Sequence, residues 1–361
     1  MSNKKSKTTR RNFRIRLLTI VLLISVVIFA YPVWRICHWL DIPGWLTLII
    51  TLPVFLSQLI ARVGLRNRTS RLANSLRMAI DFLLGIAPVL LITVLLGEVA
   101  LLLNLLTEKP VAIIVLAMTA AMTLWGLSKA WQPQVVTVPL STEKRDSKLR
   151  FVQISDVHIG SRTPRFLQKV MHRINSLEAD FLCITGDFID QHGITQEQLE
   201  PLAWFDGPIY FCIGNHERYE DLEHIIQRLE NLGVEVLRNR SIQFNGLQII
   251  GIDDHEDPQQ VAKQLPQIPI QADHYVILLY HRPQGLQAAS EHGVDLKLSG
   301  HTHNGQIVPF NYAVNKVFEY RKGLYQHENT TLYVNEGTGT WGPTMRLGTS
   351  SEITLFELNP C

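Results

Sequence analysis

The sequence predicts two halves: an all-α bundle of four transmembrane helices, then a soluble α/β domain. Three observations carry this expectation. Four long apolar runs fall within roughly the first 130 of 361 residues. From Leu149 onward, short apolar strand-like runs alternate with helix signals, the pattern of an α/β domain. In that same half, five strand ends carry side chains of metal-ligating type, the last of them in Leu298-Ser-Gly-His-Thr-His-Asn-Gly-Gln306.

The apolar runs cover about Leu17 to Trp34, Trp45 to Ile60, Phe82 to Leu106 (broken only by Glu98) and Val111 to Leu127. Each is near the ~20 residues needed to cross a hydrocarbon core. The segment before the first carries Lys4, Lys5, Lys7, Arg10, Arg11, Arg14 and Arg16 with no acid, and the loop between the second and third carries Arg62, Arg66, Arg68, Arg71 and Arg77. The loops around Asp41 and Glu108-Lys109 have almost no basic excess. The positive-inside rule then puts the N-terminus, the Arg-rich loop and the chain after Lys129 in the cytoplasm, so a multi-pass protein of the inner membrane with a cytoplasmic catalytic domain is expected. Thr9-Arg10-Arg11-Asn12-Phe13 resembles a twin-arginine export motif. No small-residue cleavage site follows it and three further apolar runs do, so anchoring is expected instead. Asp81 is expected at the interface beside Arg77; Glu98 is expected near the far headgroups and carries no assigned role.

Residues 131–148 read as a polar linker holding an edge strand, Gln134-Val-Val-Thr-Val-Pro-Leu140, in which a proline is tolerated. Residues 149–361 suffice for one core. The net charge of +2 provides no nucleic-acid signal. The four cysteines, Cys37, Cys183, Cys212 and Cys361, form neither a disulfide framework nor a CxxC pair.

Phe151-Val-Gln-Ile leads into Ser155-Asp156-Val157-His158, and Thr163-Pro164 opens a helix as N-cap and first residue. Phe181-Leu-Cys-Ile-Thr ends at Gly186-Asp187, and a helix from about Gln196 to Trp204 follows. Ile209-Tyr-Phe-Cys-Ile ends at Gly214-Asn215-His216-Glu217, and a helix from about Glu220 to Leu232 stops at Gly233. Asn245-Gly246 marks a hairpin. Tyr275-Val-Ile-Leu-Leu-Tyr ends at His281, and Leu296-Lys-Leu-Ser-Gly ends at His301 and His303. Leu332-Tyr-Val and Ile353-Thr-Leu-Phe read as closing strands.

Ligands in α/β sheets bind beyond the carboxyl ends of strands, so these five turns should surround one crevice. Carboxylates, imidazoles and one amide suit Mn, Fe or Zn, not a thiolate-selected site. The donors outnumber the needs of one ion, which points to two ions and to phosphoester hydrolysis. His172, His192, His224, His255, His274, His292 and His327 lie outside the turns and are read as ordinary surface or core histidines.

The ordered set Asp156-x-His158, Gly186-Asp187, Gly214-Asn215-His216-Glu217, His281 and Gly300-His301-Thr-His303 resembles the calcineurin-like metallophosphoesterase superfamily over about residues 149–361. Gly251-Ile-Asp-Asp254 and Gly337-Thr-Gly-Thr-Trp-Gly342 look most like its membrane-attached bacterial subgroup. The resemblance implies a four-layer α-β-β-α sandwich. It implies that Asp156, His158 and His303 hold a first metal, that Asn215, His281 and His301 hold a second, and that Asp187 bridges them. It implies that His216 stabilises the phosphate and protonates the leaving oxygen. Two positions depart from the pattern. Glu217 stands where the family usually has the Asp that orients the histidine, and Asn304 stands where the subgroup often has Gly. The expected function is a membrane-anchored two-metal phosphoesterase cleaving a phosphodiester or pyrophosphate bond, on a lipid-linked substrate because four spans exceed what a tether needs. The alternatives are a catalytically inactive scaffold of the same fold and a phosphoesterase acting on a soluble nucleotide.

Overall fold

The computed structural model describes Thr19, residues 22–65 and residues 70–361. The chain divides into two compact units, Met1–Trp125 and Gly126–Cys361. The basic N-terminal cluster, the twin-arginine-like motif, Arg66 and Arg68 lie outside the described residues.

In the first unit a π-helical turn, Val26–Ala30, runs into α1, Tyr31–Trp39. Then come α2, Gly44–Leu59; α3, Arg71–Leu102; and α4, Glu108–Trp131, whose last residues belong to the second unit. Among the described residues three stretches are long and apolar enough to cross a membrane: Leu22–Trp39, Leu72–Leu102 and Glu108–Trp131. The fourth expected span, α2, is a shorter apolar helix of 16 residues. The third helix starts well before Phe82 because the Ser70 hydroxyl caps it, accepting the Ala73 N–H at 3.3 Å. Leu48, Leu72, Leu96, Leu102, Ile113 and Leu124 face outward, which costs free energy in water and none in hydrocarbon. Glu98 is paired: Arg35 reaches it through Nε and through Nη2 at 3.0 Å, and the Tyr31 hydroxyl donates to it at 3.1 Å.

The second unit holds two six-stranded sheets. The first contains β1 (Gln134–Thr142), β2 (Leu149–Ile154), β3 (Phe181–Thr185), β4 (Ile209–Cys212), β5 (Val234–Val236) and β12 (Glu352–Pro360), in the order β1-β12-β2-β3-β4-β5. The second contains β6 (Arg240–Phe244), β7 (Leu247–Gly251), β8 (Tyr275–Leu279), β9 (Leu296–Ser299), β10 (Gly323–His327) and β11 (Thr330–Val334), in the order β10-β11-β9-β8-β7-β6. Both are mixed: β2 to β5 run parallel, as do β7, β8, β9 and β11, while β12 meets β2 and β6 meets β7 antiparallel. β1 lies at a sheet edge, where Pro139 removes no ladder bond that a central strand would need.

Side-chain alternation sends most buried residues of the central strands into three cores. Val152, Ile154, Leu182 and Ile184 pack with Phe166, Val170 and Ile174 of α5 (Pro164–Asn175) and with Ile225 and Leu229 of α8 (Leu222–Glu230). Phe151, Phe181 and Phe356 of the first sheet share a core with Ile249, Ile277 and Leu298 of the second. Ile250, Val276 and Leu278 pack with Val261 of α9 (Gln260–Gln264) and Ala289 of α10 (Leu286–Glu291). Pro164 opens α5 after Thr163, although the threonine side chain makes no capping bond. Gln196–Leu199 forms α6 and tightens into a 3-10 turn to Trp204. Asn245 and Gly246, both at positive φ, join β6 to β7. Cys183 and Cys212 are buried free thiols.

Candidate metal centre

The parallel strands β2, β3 and β4 and the strands β8 and β9 end together, and the turns beyond them bend sharply. Asp156, His158, Asp187, His301, His303 and Asn304 all have φ between +48° and +74°. Non-glycine residues adopt this left-handed region rarely and at a cost, which the surrounding fold must offset. The bend frees successive side chains from strand alternation, so Asp156 and His158 face one point while His301 and His303 serve different groups.

Among the described residues three groups of donors result: His158, Asp190 and His216 form one, and the expected ligands form the other two. Asp156, His158 and His303 place one ligand atom each within 4.8 Å of one another, and so do Asp187, His281 and His301. In the first, His303 Nε2 lies 3.1 Å from His158 Nε2 and 3.3 Å from Asp156 Oδ1. In the second, His281 Nε2 lies 3.1 Å from Asp187 Oδ2, 3.1 Å from His301 Nδ1 and 3.2 Å from Asn215 Oδ1. Asp156 also ties the groups together by accepting the backbone N–H of His301 at 3.0 Å.

The second group tests whether a cation fits. His281 Nδ1 donates to the Thr185 carbonyl at 2.8 Å, so Nε2 of the neutral ring carries a lone pair. That lone pair faces a carboxylate oxygen, an amide oxygen and another imidazole nitrogen. Burial opposes charge on His281, yet Asp187 beside it pushes the ring up to about 10. Positive charge suits this point, and a divalent cation held here would supply it while displacing the proton. Donors bonded to one ion at about 2.1 Å stand about 3.0–3.4 Å apart, which matches these separations.

His216 follows Asn215 in the short helix α7 (Asn215–Tyr219). Its backbone N–H donates to Asp187 Oδ1 at 2.9 Å. Its ring meets His158 edge-on at 4.8 Å between centroids and Trp341 at 6.5 Å. Burial, then His158, lowers its basicity, which favours proton donation.

Glu217 stands where the family usually has the Asp that orients the histidine. Its carboxylate does not orient His216. It accepts four backbone N–H groups: Asp187 at 3.0 Å, Gly214 at 2.8 Å, Phe188 at 2.7 Å and Ile189 at 2.9 Å. The helical turn of α7 carries the side chain away from its neighbour's ring and under the two ligand turns, and the extra methylene of Glu lets it span both. Asn304 is buried at the lip and donates to Glu336 at 3.0 Å.

Two contributors, Asp190 and Arg346, escaped the sequence reading, and a third, Asp254, was legible only as part of a motif. Asp190 sets Oδ2 3.3 Å from His158 Nδ1, and its carboxylate is held by the Ser161 N–H and hydroxyl at 2.9 and 2.5 Å. A carboxylate behind a ligating imidazole orients it and raises its basicity. Arg346, fully buried, donates to the carbonyls of Glu336, Gly337 and Gly339 and contacts His303 Nδ1 at 3.3 Å. Asp254, also buried, accepts from Arg282 Nε at 2.6 Å and from Arg218 Nη1 at 3.0 Å. Asp190 lies three residues beyond Asp187, but no spacing rule marks it, and an arginine 43 residues from its histidine leaves no local trace. The seven histidines read as ordinary stand outside all three groups.

Residues 149–305 match the family profile described as Calcineurin-like phosphoesterase. The chain carries a calcineurin-like metallophosphoesterase domain. Among similar proteins, an uncharacterized metallophosphoesterase of Helicobacter pylori is 32% identical over 245 residues, covering 63% of this chain and 65% of its own. A protein of Danio rerio named transmembrane protein with metallophosphoesterase domain is 33% identical over 273 residues, covering 68% of this chain and 62% of its own. An uncharacterized metallophosphoesterase of Aquifex aeolicus is 29% identical over 238 residues, covering 61% of this chain and 89% of its own. The chain thus spans just under two thirds of the length of the first two. In this metallophosphoesterase domain the glycines of the ligand turns have little room: a Cβ on Gly214 would stand 2.2 Å from Asp187 Oδ1, and one on Gly300 2.2 Å from Asp156 Oδ2.

Proposed function

We propose that residues 149–361 form a two-metal phosphoesterase, anchored by residues 1–130 through the segment 131–148. The observation that carries this reading is the set of lone pairs converging on His281 Nε2, which a proton on His281 or a cation must neutralise. Asp156, His158 and His303 hold the first ion; Asn215, His281 and His301 hold the second; Asp187 serves both. Mn, Fe or Zn suits these donors. Once bound, such ions polarise the phosphoryl oxygens and activate water for in-line attack. His216, made more acidic by burial, gives its ring proton to the leaving oxygen as the ester bond breaks. Asp190 keeps His158 in place, and Glu217 keeps the turns of Asp187 and Asn215 in register. The three cores support the four-layer α-β-β-α order.

For the membrane half we propose four spans, with α2 completing the count, in the inner membrane, and with the catalytic domain in the cytoplasm. The distribution of arginines supports this topology. A phosphodiester or pyrophosphate on a lipid-linked substrate is the reading we favour. Only two residues separate the end of α4 at Trp131 from the start of β1 at Gln134, and so short a connection supports a substrate presented near the bilayer surface. A soluble nucleotide is the competing substrate.

The test uses the full-length chain purified in detergent with Mn. Chelation should abolish hydrolysis of bis(p-nitrophenyl) phosphate, and Asp187→Asn should lower metal content at both positions. Two bound ions and full activity in Asp187→Asn would overturn the two-metal assignment. A rate on lipid-linked substrate that is no greater than on its soluble analogue would overturn the lipid reading.

A further inference from the structure

Beside the second donor group lies a pair of guanidiniums that the phosphoester chemistry described so far does not use. Arg282 directly follows His281, and Arg218 stands two residues after His216. Both are gathered by one carboxylate, Asp254, whose side chain is completely buried just beyond β7. Asp254 accepts from Arg282 through Nε at 2.6 Å and Nη2 at 3.4 Å, and from Arg218 through Nη1 at 3.0 Å. Two positive charges thus share one negative charge.

The neighbouring acids are engaged elsewhere. Asp253 pairs with Arg238 at 2.9 Å, Glu220 with His192 at 2.8 Å, and Glu256 takes the Tyr219 hydroxyl at 3.4 Å. Asp254 is thus the carboxylate that both arginines share. Their side chains keep 16% and 28% of their surface open to solvent. A guanidinium offers five N–H donors, and Asp254 uses only some of them. Lys297, buried in β9, fixes the base of Arg282 by donating to its carbonyl at 2.8 Å. The Tyr219 ring, next to Arg218 in sequence, stands 6.1 Å from the ring of His216.

We propose that Arg218 and Arg282, held ready by Asp254, bind a second phosphate of the substrate adjacent to the one that is cleaved. The structure thereby assigns a diphosphate-containing substrate in preference to an isolated phosphodiester. Charge-assisted, bidentate recognition is what oriented guanidiniums provide for phosphate. This inference rests on the phosphoesterase reading, which places the cleaved phosphate among the donors of Asp187, His281 and His301.

The experiment measures binding, so that it does not depend on turnover. The full-length, Mn-loaded protein in detergent is titrated calorimetrically with adenosine 5′-(α,β-methylene)diphosphate and with AMP. The diphosphate analogue should bind at least about tenfold more tightly, the worth of one added charged hydrogen-bonding group. Arg218→Gln and Arg282→Gln should each bring its affinity down towards that of AMP, and Arg218→Lys should retain part of the difference. Thermal melts of the variants identify any that fail to fold, and the wild-type comparison stands without them. Equal affinity for the two ligands in the wild type, no binding of either, or discrimination that survives in both Gln variants would overturn the proposal. Hydrolysis of bis(p-nitrophenyl) phosphate is assayed separately. Its absence would count against the phosphoesterase reading, and its presence alongside equal affinities would count against the diphosphate site alone.

Discussion

Glu217 accepts the backbone N–H of Asp187 at 3.0 Å while also holding Gly214, Phe188 and Ile189. The residue beside the proposed acid thus serves the backbone under the Asp187 carboxylate. Burial, reinforced by Asp187, pushes the Glu217 carboxyl up to about 7, against the pull of these N–H donors. Replacing Glu217 with Ala leaves four buried donors without an acceptor. At about 1–3 kcal/mol for each unsatisfied group, the loss should exceed about 3 kcal/mol even if water replaces part of the carboxylate. A thermal melt of the purified chain should show a large fall, accompanied by loss of bound metal. An unchanged melting temperature would mean that these hydrogen bonds contribute little.

Asp190 should act on metal affinity through His158. Asp190→Asn removes the negative charge behind the imidazole while keeping the side chain's size. Affinity for the ion bound by Asp156, His158 and His303 should fall about 10- to 100-fold. Titration with Mn and metal analysis after dialysis would show one position emptying before the other. Two ions retained with parental affinity would remove Asp190 from the site.

His216→Ala should lower turnover by about 10²–10⁴-fold, the usual contribution of a positioned general acid, and leave the metal content in place. The deficit should shrink for a p-nitrophenyl ester, whose leaving group needs no proton, compared with an alkyl ester. Loss of metal in this variant would make His216 a ligand, a role its proximity to His158 and Asp190 makes worth checking.

Lys297 offers a pH test. It is completely buried, and burial pushes its amine down to about 7 from 10.5. Between those values the unfolded chain binds a proton that the folded chain does not, so this residue makes stability rise as pH rises from 7 towards 10.5. Lys297→Met should remove that part of the pH dependence and narrow the gap to the parent at high pH, where the parent amine is neutral in both states. Melting temperatures of parent and variant are compared at each pH, which cancels tyrosines and cysteines titrating in the same range. Parallel curves would mean that Lys297 is charged in the fold.

The sequence by itself determined the order of elements, the apolar helices and the turns that carry donors. These are local properties: apolar runs, glycines after strands, and Asp, Asn or His where a left-handed residue is tolerated. It also held the family signature, because Asp156, Asp187, Asn215, His281 and His303 each sit at a strand end recognisable within a few residues. Tertiary structure alone decided what those turns rest on. Glu217 was legible as a carboxylate but not as an acceptor for a turn 30 residues earlier. Asp190, Arg346 and Asp254 meet their partners across 32, 43 and 28 residues of chain. Asp190 reaches His158 because β2 and β3 are neighbours in the first sheet, and Asp254 reaches Arg282 because β7 and β8 are neighbours in the second. The reason is physical: periodicity and turn chemistry are written in neighbouring residues, whereas satisfaction of a buried charge depends on whichever residues the packed chain brings beside it.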